Sequence, residues 1–137
     1  MPHPFHLAIP VTNLADATIF YETILGCSRG REDEHWIDFN LYGHQLVCHL
    51  SPDKAPTINN SVDGDSVPVP HFGVILNFKE FDGLAMRLKN LNQPFVLEPR
   101  TRFAGEPGEQ RTMFLLDPSG NAIEFKAFAN LDNLFKS

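Results

Sequence analysis

Two histidines open apolar runs in this chain: His6 heads HLAIPV and His71 heads HFGVIL. A glutamate, Glu124, sits between Ile123 and Phe125 in the run NAIEFKAF. A neutral imidazole can ligate a metal or pass a proton near neutral pH. A carboxylate among apolar strand residues needs a counter-charge, which a metal ion or Lys126 can supply. Taken singly, a histidine at a strand start is ordinarily half-buried and bonded to backbone. Recurrence at corresponding places is what lifts the metal reading above that one. His49, in LVCHL, is balanced between a site and the core. Arg100, Arg102 and Arg111 could present guanidinium groups to an anionic substrate, against a plainer reading as a solvated edge paired with Glu98, Glu106 and Glu109. Asp38 and Asn40 alternate with Ile37, Phe39 and Leu41, so one face of that strand is polar.

The elements that must position these residues form an internal repeat. FHLAIPV reads as a strand, and TNLADATIFYETILG as the helix after it, opened by Asn13 with Asp16 three positions on and closed at Gly26. Leu14, Ala17, Tyr21, Ile24 and Leu25 give that helix an apolar face. SRGRED could be an edge strand, and HWIDFNLYGHQLVCHL reads as two strands joined near Tyr42-Gly43. After Pro70 the order returns. Strand HFGVIL leads into a helix opened by Asn77 and Glu80, followed by QPFVLEP, QRTMFLL and NAIEFKAF, the last two parted by the turn Asp117-Pro118-Ser119-Gly120. The reading is one domain of two βαβββ modules, 5–50 and 71–128. The connector 51–70 holds four prolines and is long enough to be expected to do a job such as covering a site, and the tail is 129–137.

Length and charge narrow the function. A chain of 137 residues, 42% hydrophobic, buries one ordinary core or two small halves sharing one. A net charge of −6 opposes nucleic acid and anionic membrane surfaces as partners. No run approaches a membrane span, and MPHPFHLAIP lacks the flanks of a secretion signal, so a cytoplasmic protein is expected. Cys27 and Cys48 have no metal-type spacing and are expected to be reduced and buried. Glycine spacing for a phosphate cradle and a nucleophile elbow are both missing.

With paired βαβββ halves, a histidine opening each, and a carboxylate after a DPSGN turn, the sequence resembles the vicinal oxygen chelate superfamily. That group includes glyoxalase I, extradiol dioxygenases, fosfomycin-resistance enzymes and bleomycin-binding proteins. The resemblance covers essentially the whole chain, and PFHLAIPV, VPVPHFGV and GEQRTMFLLDPSGNAIEFKAF look most like small single-domain proteins of extradiol-dioxygenase type. It implies an α+β fold whose two modules form a curved, half-barrel-like mixed sheet with helices outside. It also implies metal ligands at His6, His71 and Glu124, a facial triad with open positions for a bidentate substrate. The cofactor implied is a divalent ion, with Fe(II) favoured and Mn, Ni or Zn as the other choices. His49 stands where glyoxalase I-like members place a glutamate, as a fourth ligand or, preferred, an acid/base; Arg111 is the second candidate catalytic residue. The implied activity is a non-haem Fe(II) dioxygenase of extradiol type acting on a small molecule with vicinal oxygens. Alternatives are a glyoxalase I-like isomerase or lyase, and a metal-free small-molecule (antibiotic) binding protein. A homodimer is implied by resemblance. Two departures stand out: Phe114 occupies the place of the ring-cleaving enzymes' tyrosine, and Pro10 that of a glutathione-gripping arginine in glyoxalase I.

Overall fold

The computed structural model describes residues 3–53, 58–62 and 65–135, with the backbone alone over 58–62 and at 65. Residues 54–57 and 63–64 of the connector lie outside the described residues. The chain forms two compact units, one running to Val69 and taking in Asp117–Asn121, the other comprising Pro70–Leu116 and the residues from Ala122 onward. The architecture is α+β, with an open mixed sheet in each unit.

In the first unit β1 (His6–Val11) leads to α1 (Leu14–Thr18), then β2 (Ser28–Glu32), β3 (Trp36–Leu41) and β4 (His44–Leu50). The sheet order is β1-β4-β3-β2, with β1 parallel to β4 and the other pairs antiparallel. Helix α1 starts where Asn13 accepts a hydrogen bond from the Asp16 amide at 2.9 Å, which satisfies one of the first turn's orphan donors. The expected long α-helix is only half realised: from Ile19 to Ile24 the chain winds as a π-helix. This wider winding carries Phe20 and Tyr21, both buried. The β3–β4 turn is the two-residue hairpin expected at Tyr42-Gly43, with both φ values positive (51° and 88°).

The connector is not structureless. It forms a hairpin of β5 (Ile58–Val62) and β6 (Asp65–Val69), paired from Ile58 with Val69 to Val62 with Asp65. Proline and polar residues disguised it, because Pro is usually read as a strand breaker and is tolerated only at strand edges.

The second unit repeats the order: β7 (His71–Phe72), β8 (Ile75–Leu76), α2 (Phe78–Asn90), β9 (Leu97–Arg102), β10 (Gln110–Leu116) and β11 (Ala122–Phe128). β11 pairs in parallel with β7 and β8 and antiparallel with β10, which in turn pairs with β9. The capping box at α2 is complete, since Asn77 accepts from the Glu80 amide and Glu80 accepts from the Asn77 amide. Phe81, Leu84, Ala85 and Leu88 are buried. Each large side chain among them contributes roughly 1.5–3 kcal/mol of transfer free energy before ordering entropy is charged against it. The strand expected at QPFVLEP starts later than its apolar residues suggest, at Leu97, and runs on through the polar Arg100 and Arg102.

HFGVIL was expected as one strand and is two. His71 pairs with Ala122 and Ile75 with Lys126, one unbroken register, but Gly73 and Val74 drop out of the ladder between them. The interruption is a place of close approach. A Cβ on Gly73 would stand 1.6 Å from the backbone oxygen of Glu124, so no other residue fits there without movement. In the tail a single 3-10 turn, Leu131–Asn133, forms, and Phe135 is exposed.

Candidate functional site

Strand register decides which side chains share a face. Residues directly opposite in a ladder point the same way, and the next pair points the other way. In the second unit Glu124 lies opposite Phe114, and Lys126 opposite Thr112. These four therefore project from one face, while Met113, Leu115, Ile123 and Phe125, all fully buried, project from the other.

On the first of these faces the structure brings His71 and Glu124 together, with His71 Nε2 3.5 Å from Glu124 Oε1. The other carboxylate oxygen, Oε2, accepts from Thr112 Oγ1 at 2.5 Å. Thr112 is itself buried, so this hydroxyl has one clear task, to fix the carboxylate's plane. The His71 ring stands edge-on to Phe114, centroids 4.9 Å apart at 79°. Lys126 Nζ is 3.9 Å from Glu124 Oε1, a loose pair on a well-exposed ammonium. His71, Glu124 and Lys126 line a recess of about 220 Å³ with Phe72, Gly73, Val74 and Ile75.

Does this pair suit a divalent ion? Two donors bound to one ion at about 2.1 Å each, roughly at right angles, stand about 3 Å apart. The observed 3.5 Å is close to that spacing, and an imidazole nitrogen with a carboxylate oxygen suits first-row divalent metals. The donor set fits. Among the described residues no three His, Cys, Asp or Glu side chains are gathered as a metal-holding group, and His6 belongs to the other unit.

In the first unit His6 pairs with Gln45, and Pro10 with His49, which in turn lies opposite Trp36. Asp38 lies opposite Val47 and Asn40 opposite Gln45. His6, Asp38, Asn40, Gln45 and His49 thus share a face, as the alternation in β3 suggested for two of them. His6 and His49 stand four residues apart along it, about 13 Å at the usual strand rise. His6 Nδ1 bonds Gln45 Oε1 at 2.7 Å, and Gln45 Nε2 donates to Asp38 Oδ2 at 3.1 Å.

Register also sets the two halves side by side as sequence patterns. Glu124 lies two residues beyond Ala122, the partner of His71; two residues beyond Gln45, the partner of His6, stands Val47. By register the first half's counterpart of Glu124 is thus the apolar Val47, two residues short of the His49 that the resemblance set there, and His49 is the counterpart of Lys126.

Arg111 is not brought to this face. It lies opposite Ala127. Its Nη1 reaches both Asp82 oxygens on α2, at 2.6 and 2.5 Å, and its guanidinium carbon lies 4.0 Å from the centre of the Phe78 ring. Arg100 and Arg111 line a groove of about 510 Å³ beside α2.

A family model described as the glyoxalase/bleomycin resistance protein/dioxygenase superfamily matches residues 3–125. The chain belongs to that superfamily. A crystal structure of a glyoxalase/bleomycin resistance protein/dioxygenase from Alicyclobacillus acidocaldarius is 36% identical, covers 97% of this chain and 96% of its own, and superposes with a TM-score of 0.79. The fosfomycin resistance protein FosX from Listeria monocytogenes is 17% identical, with 96% and 97% covered and a TM-score of 0.71. A lactoylglutathione lyase from Agrobacterium tumefaciens is 16% identical, with 98% and 97% covered and a TM-score of 0.65. At such identities the last two establish the fold alone. As in the superfamily at large, the fold here is two βαβββ halves, and no helix among the described residues is long and apolar enough to cross a membrane.

The turn joining β10 to β11 groups with the first unit. Buried Asp117 accepts from Tyr21 Oη at 2.8 Å and from the Ser119 amide, the Asn121 amide and Asn121 Nδ2, each at 2.9 Å. Asn121 Nδ2 also donates to the Pro10 carbonyl at 2.8 Å, and the Thr12 amide to Ser119 Oγ at 2.8 Å. Burial, with the charge of Asp117 adding to it, holds the Tyr21 phenol well above its ordinary pKa. Cys27 and Cys48 are free, buried thiols as expected, pushed up to about 11 and about 12 by loss of solvent, with Asp117 and Cys27 adding to the shift at Cys48.

Sequence reasoning passed over Thr112, Gln45 and Gly73. Thr112 could have been found as the one polar residue in the run TMFLL, once its parity with Glu124 was known.

Proposed function

We propose that this member of the superfamily is a divalent-metal enzyme acting on a small molecule with two vicinal oxygens, held by His6, His71 and Glu124. The supporting observation is the His71–Glu124 pair, donor to donor at 3.5 Å, with the carboxylate oriented by Thr112. Val47 at the first-half counterpart of Glu124 favours two nitrogens and one carboxylate over a set with a second carboxylate. That combination is the one used by non-haem Fe(II) oxygenases, so an Fe(II) dioxygenase of extradiol type is the reading we carry forward.

When bound, the ion supplies Lewis-acid polarisation of the substrate oxygens. The chain's own groups do the rest. Phe114 and the backbone at Gly73 confine the His71 ring and the Glu124 strand, and Thr112 prevents the carboxylate from rotating. The Lys126 ammonium lines the recess beside Glu124 and can meet a negative oxygen of a ligand there. Phe114 donates no hydrogen bond, so a ring-cleaving reaction in this site takes its proton management from elsewhere. Of the two catalytic candidates, His49 is left as the acid/base on the face it shares with His6, and Arg111 is assigned to holding α2 against the sheet.

The test is elemental analysis of protein purified without oxygen or chelator, beside His71→Ala and Arg111→Ala. About one Fe per chain is expected, lost in His71→Ala and kept in Arg111→Ala. Ni, Zn or Mn at that stoichiometry would turn the reading to an isomerase or lyase. No metal, even after reconstitution, would leave a binding protein that has kept the fold.

A further inference from the structure

Three polar residues are buried among those described: Thr112, Asp117 and Asp38. Thr112 orients Glu124, and Asp117 holds the β10–β11 turn. Asp38 has no such evident task in the fold, yet a buried carboxylate must be satisfied. Among the described residues its partner is the side-chain amide of Gln45, whose Nε2 donates to Asp38 Oδ2 at 3.1 Å.

That contact fixes more than one side chain. An ionised carboxylate only accepts hydrogen bonds, so the amide must turn its NH2 toward Asp38 and its oxygen the other way. The oxygen then meets His6 Nδ1 at 2.7 Å. An amide oxygen only accepts, so Nδ1 must carry the proton. In a neutral imidazole this leaves Nε2 with the free lone pair. His71 also presents Nε2 toward Glu124. A second histidine nearby has the opposite constraint: the Phe5 amide donates to His44 Nδ1 at 2.8 Å, so His44 carries its proton on Nε2.

We infer that Asp38 and Gln45 are positioning residues for His6, locking its neutral ring as the Nδ1–H form with Nε2 directed to a divalent cation. The cation half of this statement rests on the function proposed above; the tautomer half stands on the first unit alone. Gln45 turns its end only because Asp38 accepts from it, so the order is Asp38, then Gln45, then His6. All three stand on the same sheet face, spread over β3, β4 and β1.

The experiment uses metal-free, full-length protein, with imidazole nitrogens read by two-bond proton–nitrogen correlation at a pH where the rings are neutral. His6→Ala assigns the His6 signals. His6 is expected as Nδ1–H and His44 as Nε2–H in the same spectrum. In Gln45→Leu and in Asp38→Leu the His6 ring should drift toward Nε2–H. Fe(II) titration under nitrogen should show affinity lowered by about 10–100-fold in Gln45→Leu. The double variant Asp38→Asn with Gln45→Glu reverses donor and acceptor between the two positions and should restore both the tautomer and most of the affinity, which a merely structural role would not. His6 found as Nε2–H in the wild type overturns the inference, as does a Gln45→Leu protein with the wild-type tautomer and affinity. A wild type with Nδ1–H His6 that takes up no Fe(II) upholds the tautomer assignment and overturns the metal reading instead.

Discussion

Replacing Gly73 with alanine should be out of proportion to the single methyl it adds. The new Cβ would lie 1.6 Å from the Glu124 backbone oxygen and 2.6 Å from its carbonyl carbon. Ordinary carbon–oxygen contact needs about 3.4 Å, so the two backbones must part by roughly 2 Å in an interior packed to crystal-like density. The bond from the Lys126 amide to the Val74 carbonyl, already 3.3 Å long, would not survive that. One lost backbone bond costs about 1 kcal/mol and overpacking typically 1–3, for a total of roughly 2–4 kcal/mol. For a chain of this size that corresponds to a melting temperature lower by about 10 °C. The same movement displaces Glu124 relative to His71, and a binding site tolerates only about 0.5 Å. Fe(II) affinity should therefore fall by two orders of magnitude or so.

Gly83 provides the opposite sign from the same substitution. It lies within α2, and a Cβ there meets nothing within 4 Å. Gly83→Ala should therefore stabilise by about 0.5–1 kcal/mol through helix propensity, with metal uptake unchanged. Urea unfolding and Fe(II) titration of both variants decide the matter. A Gly73→Ala protein as stable as wild type, with its affinity intact, would refute the claim that this close approach sets the site.

Thr112→Val keeps shape and burial but removes the hydroxyl on Glu124 Oε2. Divalent-ion affinity should drop by about tenfold or more while the melting temperature moves little, and unchanged affinity would deny Thr112 its orienting role. Stability should fall with rising alkalinity. Cys27 and Cys48 are raised in the folded chain, to about 11 and about 12, so their contribution is fully present below the thiol's ordinary 9.0 and is lost as pH climbs through those folded values. Tyr21, raised above 10.0, adds to the same trend. Unfolding free energies measured from pH 8 upward should decline from about pH 9, and less steeply in Cys48→Ala; a flat profile would contradict the burial of these groups.

The parts of the fold that were legible in the sequence are those governed by local chemistry. Asn13 and Asn77 begin helices because a short polar side chain satisfies the first-turn amides, and Tyr42-Gly43 turns because a tight hairpin needs two positive φ values. The parts that were hidden depend on what a strand meets. Gly73 interrupts HFGVIL because of Glu124, 51 positions distant in the same ladder register, and nothing within the six-residue run announces that. The hairpin of β5 and β6 was concealed by Pro68 and its polar residues, and the π-helix because the apolar spacing from Leu14 to Leu25 reads as an ordinary helix. The site shows the same division. His71 and Glu124 were legible because the repeat marks one and an apolar strand the other. Arg111 was misleading because its usefulness depended on strand parity: one residue separates it from Thr112, and that single step turns it to Asp82 on α2.

Repetition carries the deeper lesson about the chemistry. If both halves had kept the same three face positions, the chain would offer a carboxylate from each, and the set would be symmetric. Instead the second half sets Glu124 beside His71, while the first sets Val47 at the matching place and invests its polar residues in Asp38, Gln45 and His6. On the function proposed above, the second half would contribute two donors and the first a single donor, His6, with Asp38 and Gln45 behind it. A lone histidine on an exposed strand end is free to rotate and to exchange tautomers, and it needs that support more than a histidine already braced against Phe114. Fewer donors leave more positions on an ion for substrate oxygens, and each donor that remains must then be held more firmly. On this reasoning an apolar Val47 and the Asp38–Gln45 chain behind His6 belong together. Substituting Val47→Glu should accordingly tighten divalent-ion binding while making it independent of Gln45.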